Sequence, residues 1–598
     1  MSTPPTHPRI PYGEADFRRI RRNRWLYVDK TRFLRRLEQE RYAFLIRPRR
    51  FGKSLWISLL ENYYDRFWAD DFDGTFAGTD IGREPTGEQS RYVTLRFNFS
   101  AVNDKLETLE REFETYCMIE LRGRLRRHPD LFPEAAVRDI LAPPSIASKL
   151  TELFQYAGDH DIPLYVLIDE YDNFANTVLA YHGAEAYHSF THGGGFYRNF
   201  FAALKGGADR SGGGLERLFI TGVSPVTMDD VTSGFNIGKN LSLHPDFNEM
   251  VGFTEPEVRH LVETYRDLGV FNQDTETAMG IMGEWYNGYR FAEEAVADLY
   301  NTDMVLYYLD HSIPNRRVPT HLIDTNVRID YGKLRHLLVV GRRLNGNFDL
   351  LRNVIGEGQV DTRIQPGFPL ERLTDPENFF SLLHYFGLLS IRAVVQRVPR
   401  LAIPNQTVKR LMYGYLRDAY RDVGVFSVNL FRVEQLLMGM ANRNEWRPVF
   451  EFLGEAITRQ TGIRDYISGE KVIQGFLAAY LSVTDYYVFR SEAEFGKGHA
   501  DIALEPLLAS YPHLQCGYLI ELKYLKRRGR FQRSERSPRS GSAIEDGVAA
   551  AVGDATAQLE RYLADERLAR QFPGVRFIGL IVVFHGWEMV FCDAVRSE

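Results

Sequence analysis

Tyr42-Ala43-Phe44-Leu45-Ile46-Arg47-Pro48-Arg49-Arg50-Phe51-Gly52-Lys53-Ser54 begins as a short apolar run and ends in Gly-Lys-Ser, with the helical pattern Leu55-Trp56-Ile57-Ser58-Leu59-Leu60 directly behind it. The run has the length and character of a buried strand. Strand, loop, Gly-Lys-Ser and helix together satisfy what a polyphosphate demands. Backbone N–H groups wrap it at a helix N-terminus, a lysine reaches its outer phosphates, and a hydroxyl holds Mg²⁺. This is the P-loop arrangement, and it predicts an α/β fold in which Arg49, Arg50, Gly52, Lys53 and Ser54 bind the nucleotide. The full pattern also asks for glycine five residues before Gly52, where this chain has Arg47, a side chain at a point of tight turning.

A second buried-type strand, Pro163-Leu164-Tyr165-Val166-Leu167-Ile168-Asp169-Glu170, ends in two acids. A strand ending in Asp-Glu is by itself often a capped turn. In this order, about a hundred residues after Gly-Lys-Ser, it is the Walker B pattern of an ATPase: Asp169 holds Mg²⁺ and Glu170 polarises the attacking water. A third strand, Leu218 to Ser224, ends in small polar residues where a γ-phosphate sensor sits, a weak signal taken alone. ATP and Mg²⁺, or Mn²⁺, are the cofactors this pattern calls for.

At 598 residues the chain exceeds one hydrophobic core and calls for several domains. Its 44% hydrophobic and 25% charged residues are ordinary for a globular protein, and a net charge of −6 excludes a global nucleic-acid signature. Any nucleic-acid surface is therefore local. Cys117, Cys516 and Cys592 are far apart, which encodes neither a disulfide framework nor a zinc knuckle and fits a reducing cytoplasm. The first 24 residues lack an apolar core segment, and Phe577 to Phe584 is too short to span a bilayer, so neither signal peptide nor membrane segment is expected. From Phe17 to Arg36 arginines alternate with aromatics, which reads as a solvated helix face or a phosphate contact.

The glycine clusters Gly193-Gly194-Gly195 and Gly212-Gly213-Gly214 read as flexible loops around a helix from Phe196 to Leu204. Thr254-Glu255-Pro256-Glu257 is a helix start, and the chain reads as mostly helical from there to about Asn444. Trp285 to Phe291 reads as aromatic core packing. Phe379 to Leu389, followed by a short strand and Ile403-Pro404-Asn405, suggests a winged-helix-like module.

Near the C-terminus, Tyr518-Leu519-Ile520-Glu521-Leu522-Lys523 sets a carboxylate and an amine on one face of an apolar strand. Alone, Glu-x-Lys reads as a surface pair. About twenty residues earlier, after the glycine turn Gly496-Lys497-Gly498, a second strand carries Asp501 at its start. Asp followed by Glu-x-Lys is a metal-dependent nuclease pattern. Two oxygen ligands hold a hard cation that withdraws charge from phosphate, and Lys523 supplies a fixed positive charge. A helix from Glu470 to Leu481 precedes these strands, and a helix from Ala543 to Leu563 follows, with Gln558 and Tyr562 on one face. Strands Phe577 to Phe584 and Glu588 to Phe591 complete a sheet. The basic loop from Lys526 to Ser540 reads as a solvated insertion able to attract a phosphate backbone.

Arg47 to Ser54, Leu167 to Asp172, Thr221-Gly222-Val223-Ser224-Pro225, Trp285 to Phe291 and Tyr300-Asn301-Thr302-Asp303 resemble the AAA-ATPase-like family of bacterial and archaeal proteins that end in a PD-(D/E)XK nuclease-like domain. The resemblance runs through most of the chain. It implies an N-terminal P-loop domain of AAA/STAND type over residues 1–253, a mostly helical, winged-helix-like middle over 254–445, and an α/β nuclease-like domain over 446–598. It also implies that arginine at the Arg47 position is ordinary, that Glu470 stands near the metal, that the Leu522 carbonyl faces it, and that Gln558 supports the site or the scissile phosphate. The expected activity is that of a Mg²⁺-dependent nuclease on nucleic acid, DNA ahead of RNA, regulated by ATP. A nucleotide-gated nucleic-acid-binding switch without cleavage is the alternative, and homo-oligomerisation stays open.

Overall fold

Uniformly apolar runs of five to eight residues cannot leave either face in water, and in this protein they become the central strands of a covered parallel sheet. The computed structural model describes residues 7–103, 105–209, 213–231, 238–324, 326–327, 339–340, 343–344, 346–422, 428–459, 469–495, 498–526 and 540–595. The chain divides into two compact units, one comprising Met1–Arg317, Leu322–His336 and Gln359–Val408, the other Val318–His321, Leu337–Gly358 and Lys409–Glu598.

The first unit is built on five strands: β1 (Tyr42–Ile46), β2 (Val93–Asn98), β3 (Leu164–Asp169), β4 (Leu215–Gly222) and β5 (Lys239–Asn240), in the order β2-β3-β4-β1-β5. All pairings are parallel, with Ile46 beside Gly222 and Asn98 beside Asp169. The carboxyl ends of β1, β3 and β4 therefore lie along one edge, the place where open α/β sheets bind ligands. Helix Lys53–Tyr64 leaves from that edge, and helix Asn173–Thr191 starts just past β3. The core beneath is aromatic, with Phe99 and Phe113 each in ring contact with Phe174, Tyr197 and Phe200.

The middle of the chain is mostly helical. Helix Glu255–Asp267 begins on a capping box between Thr254 and Glu257, at the predicted start. Trp285, Tyr286, Tyr289 and Phe291 are buried, as expected of core aromatics. Helix Pro376–Tyr385 precedes a hairpin of Ser390–Val395 and Val398–Ala402, which a third short strand, Gln359–Asp361, extends.

The C-terminal sheet follows helix Glu470–Leu481. Its strands are β6 (Tyr487–Phe495), β7 (Gly498–Pro506), β8 (Cys516–Leu525), β9 (Arg576–His585) and β10 (Glu588–Ala594), in sequential order. Only β8 and β9 run parallel, because helix Ser540–Leu563 crosses between them. Helix, three strands, helix, strand is the predicted succession. Asp501 lies inside β7 rather than at its start, because the β6–β7 hairpin pairs back to Gly498. The turn residues Gly496 and Lys497, Gly212, and the basic loop from 527 to 539 lie outside the described residues. No helix among the described residues is long and apolar enough to cross a membrane. Cys117, Cys516 and Cys592 are all free thiols.

Candidate functional sites

Gly52 ends the loop after β1 with φ +92°, a left-handed conformation that glycine adopts without strain, and Lys53 is the first residue of the helix. Arg50 and Glu170 also hold positive φ, 67° and 53°, although neither is glycine, so local strain collects on both sides of this edge. Beside it opens a cavity of about 440 Å³. One end is polar, with the backbone from Arg49 to Ser54 together with Glu170. The other end is apolar, including Ile20, Leu26, Val28 and Phe253. A phosphate-wrapping end joined to an apolar end is the form of a pocket for a nucleotide.

Lys53 Nζ donates to Pro48 O at 2.9 Å inside the loop. Burial pushes its pKa down, opposed by Glu170, Asp169 and Asp172. Burial raises the Asp169 pKa, and Ser54 stands near enough to counter the shift. Neither Asp169 carboxylate oxygen completes a hydrogen bond, which fits a hard cation as the missing partner. Asp172 is spent structurally, accepting from Ser224 N at 2.7 Å and from Asn176 Nδ2 at 2.7 Å.

Arg47 does not line the cavity. Its fully buried guanidinium donates to Ile46 O at 3.0 Å, Ser242 O at 2.6 Å and Phe247 O at 3.2 Å, and it stacks 4.3 Å from the Phe291 ring. Burial lowers its pKa to about 9, so it stays charged at neutral pH. The residue that replaces the expected glycine is thus a tie-bar holding three backbone carbonyls. Restoring glycine, Arg47→Gly, should lower stability by about 3 kcal/mol or more, through the lost hydrogen bonds and the void left behind, without tightening nucleotide binding. Thermal melting beside calorimetry with ATP checks both halves.

The loop is clasped from the middle of the chain as well. Phe51 packs edge-on to Tyr289 and Phe291, at 4.9 and 5.5 Å, and Arg50 pairs with Asp303 at 2.6 Å. The arginine-rich lead is a solvated face, with Arg19, Arg22, Arg24, Arg32 and Arg36 exposed, but much of its charge is paired. Arg18 and Arg22 pair with Asp71, Arg32 with Glu249, Arg35 with Asp80 and Arg36 with Asp246. Its apolar residues supply the cavity wall, which single-segment reading missed.

In the C-terminal unit, Ile502 of β7 sits opposite Ile520 of β8, which makes Asp501 and Glu521 cross-strand neighbours. Asp501 Oδ2 accepts the Leu522 N–H at 2.7 Å. Lys523 Nζ donates to Glu521 Oε2 at 2.8 Å and to Gln558 Oε1 at 3.0 Å, so helix Ser540–Leu563 reaches the same point. Glu521 is buried, 1% exposed, and its Oε1 has no hydrogen-bond partner. Burial and the Asp501 charge push its pKa up to about 7, against the pull of Lys523. Burial works against the Lys523 ammonium, yet Glu521, Asp501 and Glu470 outweigh it and hold its pKa above the ordinary value. Burial and Asp501 also raise the Glu470 carboxyl.

Glu470, Asp501, Glu521, Lys523 and Gln558 therefore stand in one neighbourhood. An unpartnered buried oxygen beside a second carboxylate fits a divalent cation held by Asp501 and Glu521. Two further residues belong here. Gln474 donates to Asp501 O at 2.8 Å, and the Tyr562 phenol feels the charges of Glu521, Asp501 and Lys523. Gln474 is four residues after Glu470 on the same helix, a spacing legible in the sequence but not used.

A family model described as a predicted AAA-ATPase matches residues 11–232, and one of the PD-(D/E)XK nuclease superfamily matches residues 468–594. An uncharacterised protein from the region 5′ of vnfD in Azotobacter chroococcum mcd 1 is 26% identical over 335 residues, covering 53% of this chain and 55% of that protein. The chain thus spans about half the length of that curated relative. The structure of the Aeropyrum pernix ORC2 protein in ADPNP–ADP complexes aligns at a TM-score of 0.31 with 10% identity, over 66% of this chain and 92% of that one. The Aeropyrum pernix ORC1 protein in complex with DNA aligns at 0.24 with 13% identity, over 68% and 93%. With a parallel sheet ending in a P-loop at one end and an Asp, Glu-x-Lys centre at the other, the chain carries a AAA-ATPase-like domain over residues 11–232 and a PD-(D/E)XK nuclease superfamily domain over residues 468–594.

Proposed function

We propose that this protein is a divalent-metal-dependent endonuclease of the cytoplasm, acting on nucleic acid, DNA ahead of RNA, under the control of ATP bound at its N-terminal cavity. In this division of labour residues 1–253 hold nucleotide, the middle over 254–445 supplies Tyr289, Phe291 and Asp303 against the P-loop, and 446–598 carry the cutting centre. The observation that carries it is the meeting of Asp501, Glu521 and Lys523 on adjacent strands, with Lys523 braced between Glu521 and Gln558. Asp501 and Glu521 would hold Mg²⁺ or Mn²⁺, and the cation, when bound, supplies charge withdrawal from phosphate and a more acidic water. Lys523 orients and compensates charge at the scissile phosphate. Glu470 tunes the field, and Gln558 fixes the lysine. At the other end Lys53 and the backbone of the loop would hold phosphates, Ser54 and Asp169 would hold the nucleotide's Mg²⁺ with Arg49 and Arg50 nearby, and Glu170 would polarise the attacking water.

The test is nicking of supercoiled plasmid, single-stranded DNA and RNA with Mg²⁺ or Mn²⁺, each with and without ATP. Lys523→Ala should lose cleavage by roughly a thousandfold. Cleavage that survives unchanged in that variant removes the proposal.

The non-cleaving switch draws on one observation. Among the described residues, the C-terminal centre does not gather three carboxylates with ligand atoms within 4.8 Å of one another. Binding of the same substrates without nicking under any metal favours it.

A further inference from the structure

Outside both sites, two histidines and a carboxylate meet on the surface of the first unit. His188 lies in the last turn of helix Asn173–Thr191, and His192 caps it. The spacing of four puts both rings on one face, with centroids 4.4 Å apart. Glu371, in the short 3₁₀ turn Leu370–Arg372, brings Oε1 to 3.0 Å from His188 Nε2, without the alignment of a hydrogen bond. One ligand atom from each of the three residues lies within 4.8 Å of the others. We infer that His188, His192 and Glu371 bind a transition-metal dication of the Zn²⁺ class.

The tautomer of His192 follows from its neighbours. The Thr191 hydroxyl donates its single hydrogen to Tyr187 O at 2.9 Å. With that bond made it accepts from His192 Nδ1, 2.9 Å away, so the Nδ1–H tautomer is the one that satisfies both contacts. The lone pair is left on Nε2, the arrangement that outer hydrogen bonds impose on metal-binding imidazoles. That Nε2 stands 4.0 Å from Asp230 Oδ1. Asp230 is 5% exposed, and its Oδ2 accepts from Tyr187 Oη at 2.7 Å.

The backbone holds this geometry in place. His192 N donates to His188 O at 3.0 Å, and His192 O accepts from Gly195 N at 3.0 Å. Gly195 folds back so tightly that a Cβ there would lie 2.3 Å from Phe190 O, so the glycine cluster serves as a fitted helix stop. Zinc ligands bonded at about 2.0–2.2 Å stand about 3.4 Å apart in a tetrahedron, so modest rotation of part-exposed side chains closes the site. Two imidazoles with one carboxylate select Zn²⁺ or Co²⁺ over the oxygen-seeking Mg²⁺ and Ca²⁺. The segment Asn173–Thr191 breaks at Gly183, φ +84°, and the ion would staple its second half, which ends at His188 and His192, to the Leu370–Arg372 turn of the same unit.

The experiment uses the full chain, chelator-stripped and kept in millimolar Mg²⁺ to fill hard-cation sites. Zn²⁺ is titrated by calorimetry, and Co²⁺ is followed by its visible d–d absorption. The wild type should take up one equivalent, with a tetrahedral Co²⁺ spectrum and a raised Tm. His188→Ala/His192→Ala should lose affinity by roughly a hundredfold or more, and the milder His192→Gln by about tenfold or more. Glu521→Gln should keep the site intact. The inference is overturned if the stripped protein takes up no stoichiometric Zn²⁺, or if the histidine variants bind it as tightly while circular dichroism shows them folded. Ready displacement of Co²⁺ by Mg²⁺ overturns the metal class.

Discussion

Glu521→Gln is expected to abolish cleavage and, at the same time, to make the metal-free protein more stable above neutral pH. Glu521 sits 1% exposed, with Oε2 on Lys523 and Oε1 unpartnered, facing the charge of Asp501. Such a group favours its protonated form, and its pKa stands at about 7. The sign follows from linkage. The folded state binds this proton more tightly than the unfolded chain, where the ordinary value is about 4.3, so wild-type stability falls as pH rises from there through about 7. Glutamine keeps the shape and removes the charge. In EDTA at pH 8 the variant should gain on the order of 2 kcal/mol, discounted for the Lys523 partner it weakens, and the gain should vanish near pH 4, where the wild type is already protonated. Nicking should fall roughly a thousandfold or more, since a neutral amide is a poor ligand for a hard cation. A variant that cuts like the wild type, or that melts lower at every pH, contradicts the assignment. A site that destabilises its own fold in order to hold charge ready is what a functional centre predicts and what a surface ion pair does not.

What could be read from the sequence divides along the range of the interactions. β1, β3 and β4 were legible because burial on both faces makes a strand uniformly apolar. β2 was not, because Thr94 and Arg96 interrupt it, and they are satisfied by Asp65 and Glu61 from elsewhere in the chain. β5 is two polar residues that are a strand only because β1 lies beside them. Glu521 and Lys523 share a face by the alternation of one strand, a local rule, whereas the approach of Asp501 depends on the β7–β8 register. The inward turn of Arg47 had no local signal at all, since Ser242, Phe247 and Phe291 are nearly two hundred residues or more away. The arginine-rich lead is solvated as one reading had it, but its pairing was hidden for the same reason: its partner acids lie in other segments, and its apolar residues find their use only once the cavity has closed around them.

At that cavity, Lys53→Ala should reduce ATP·Mg²⁺ affinity by about a hundredfold or more, close to 3 kcal/mol, in titration calorimetry. In the structure the Lys53 ammonium is 5% exposed and donates to Pro48 O, with Asp169, Glu170 and Asp172 as the nearest negative charges. A bound triphosphate offers this buried cation a stronger partner than a carbonyl, so the lysine would exchange Pro48 O for phosphate oxygen. Alanine leaves the loop backbone able to wrap phosphate but removes the charge that offsets the acids around it. Glu170→Gln separates binding from turnover, because it removes a charge beside the phosphates without touching the loop. It should bind ATP at least as well as the wild type and lose any hydrolysis. The same contrast should appear in melting: at ATP a hundred times its Kd, ligand linkage adds about 2.7 kcal/mol to the wild type and to Glu170→Gln, and much less to Lys53→Ala. Equal stabilisation of all three proteins would mean that nucleotide, if bound, sits away from the helix that begins at Lys53, and the control assigned to this loop would have to be sought elsewhere in the chain.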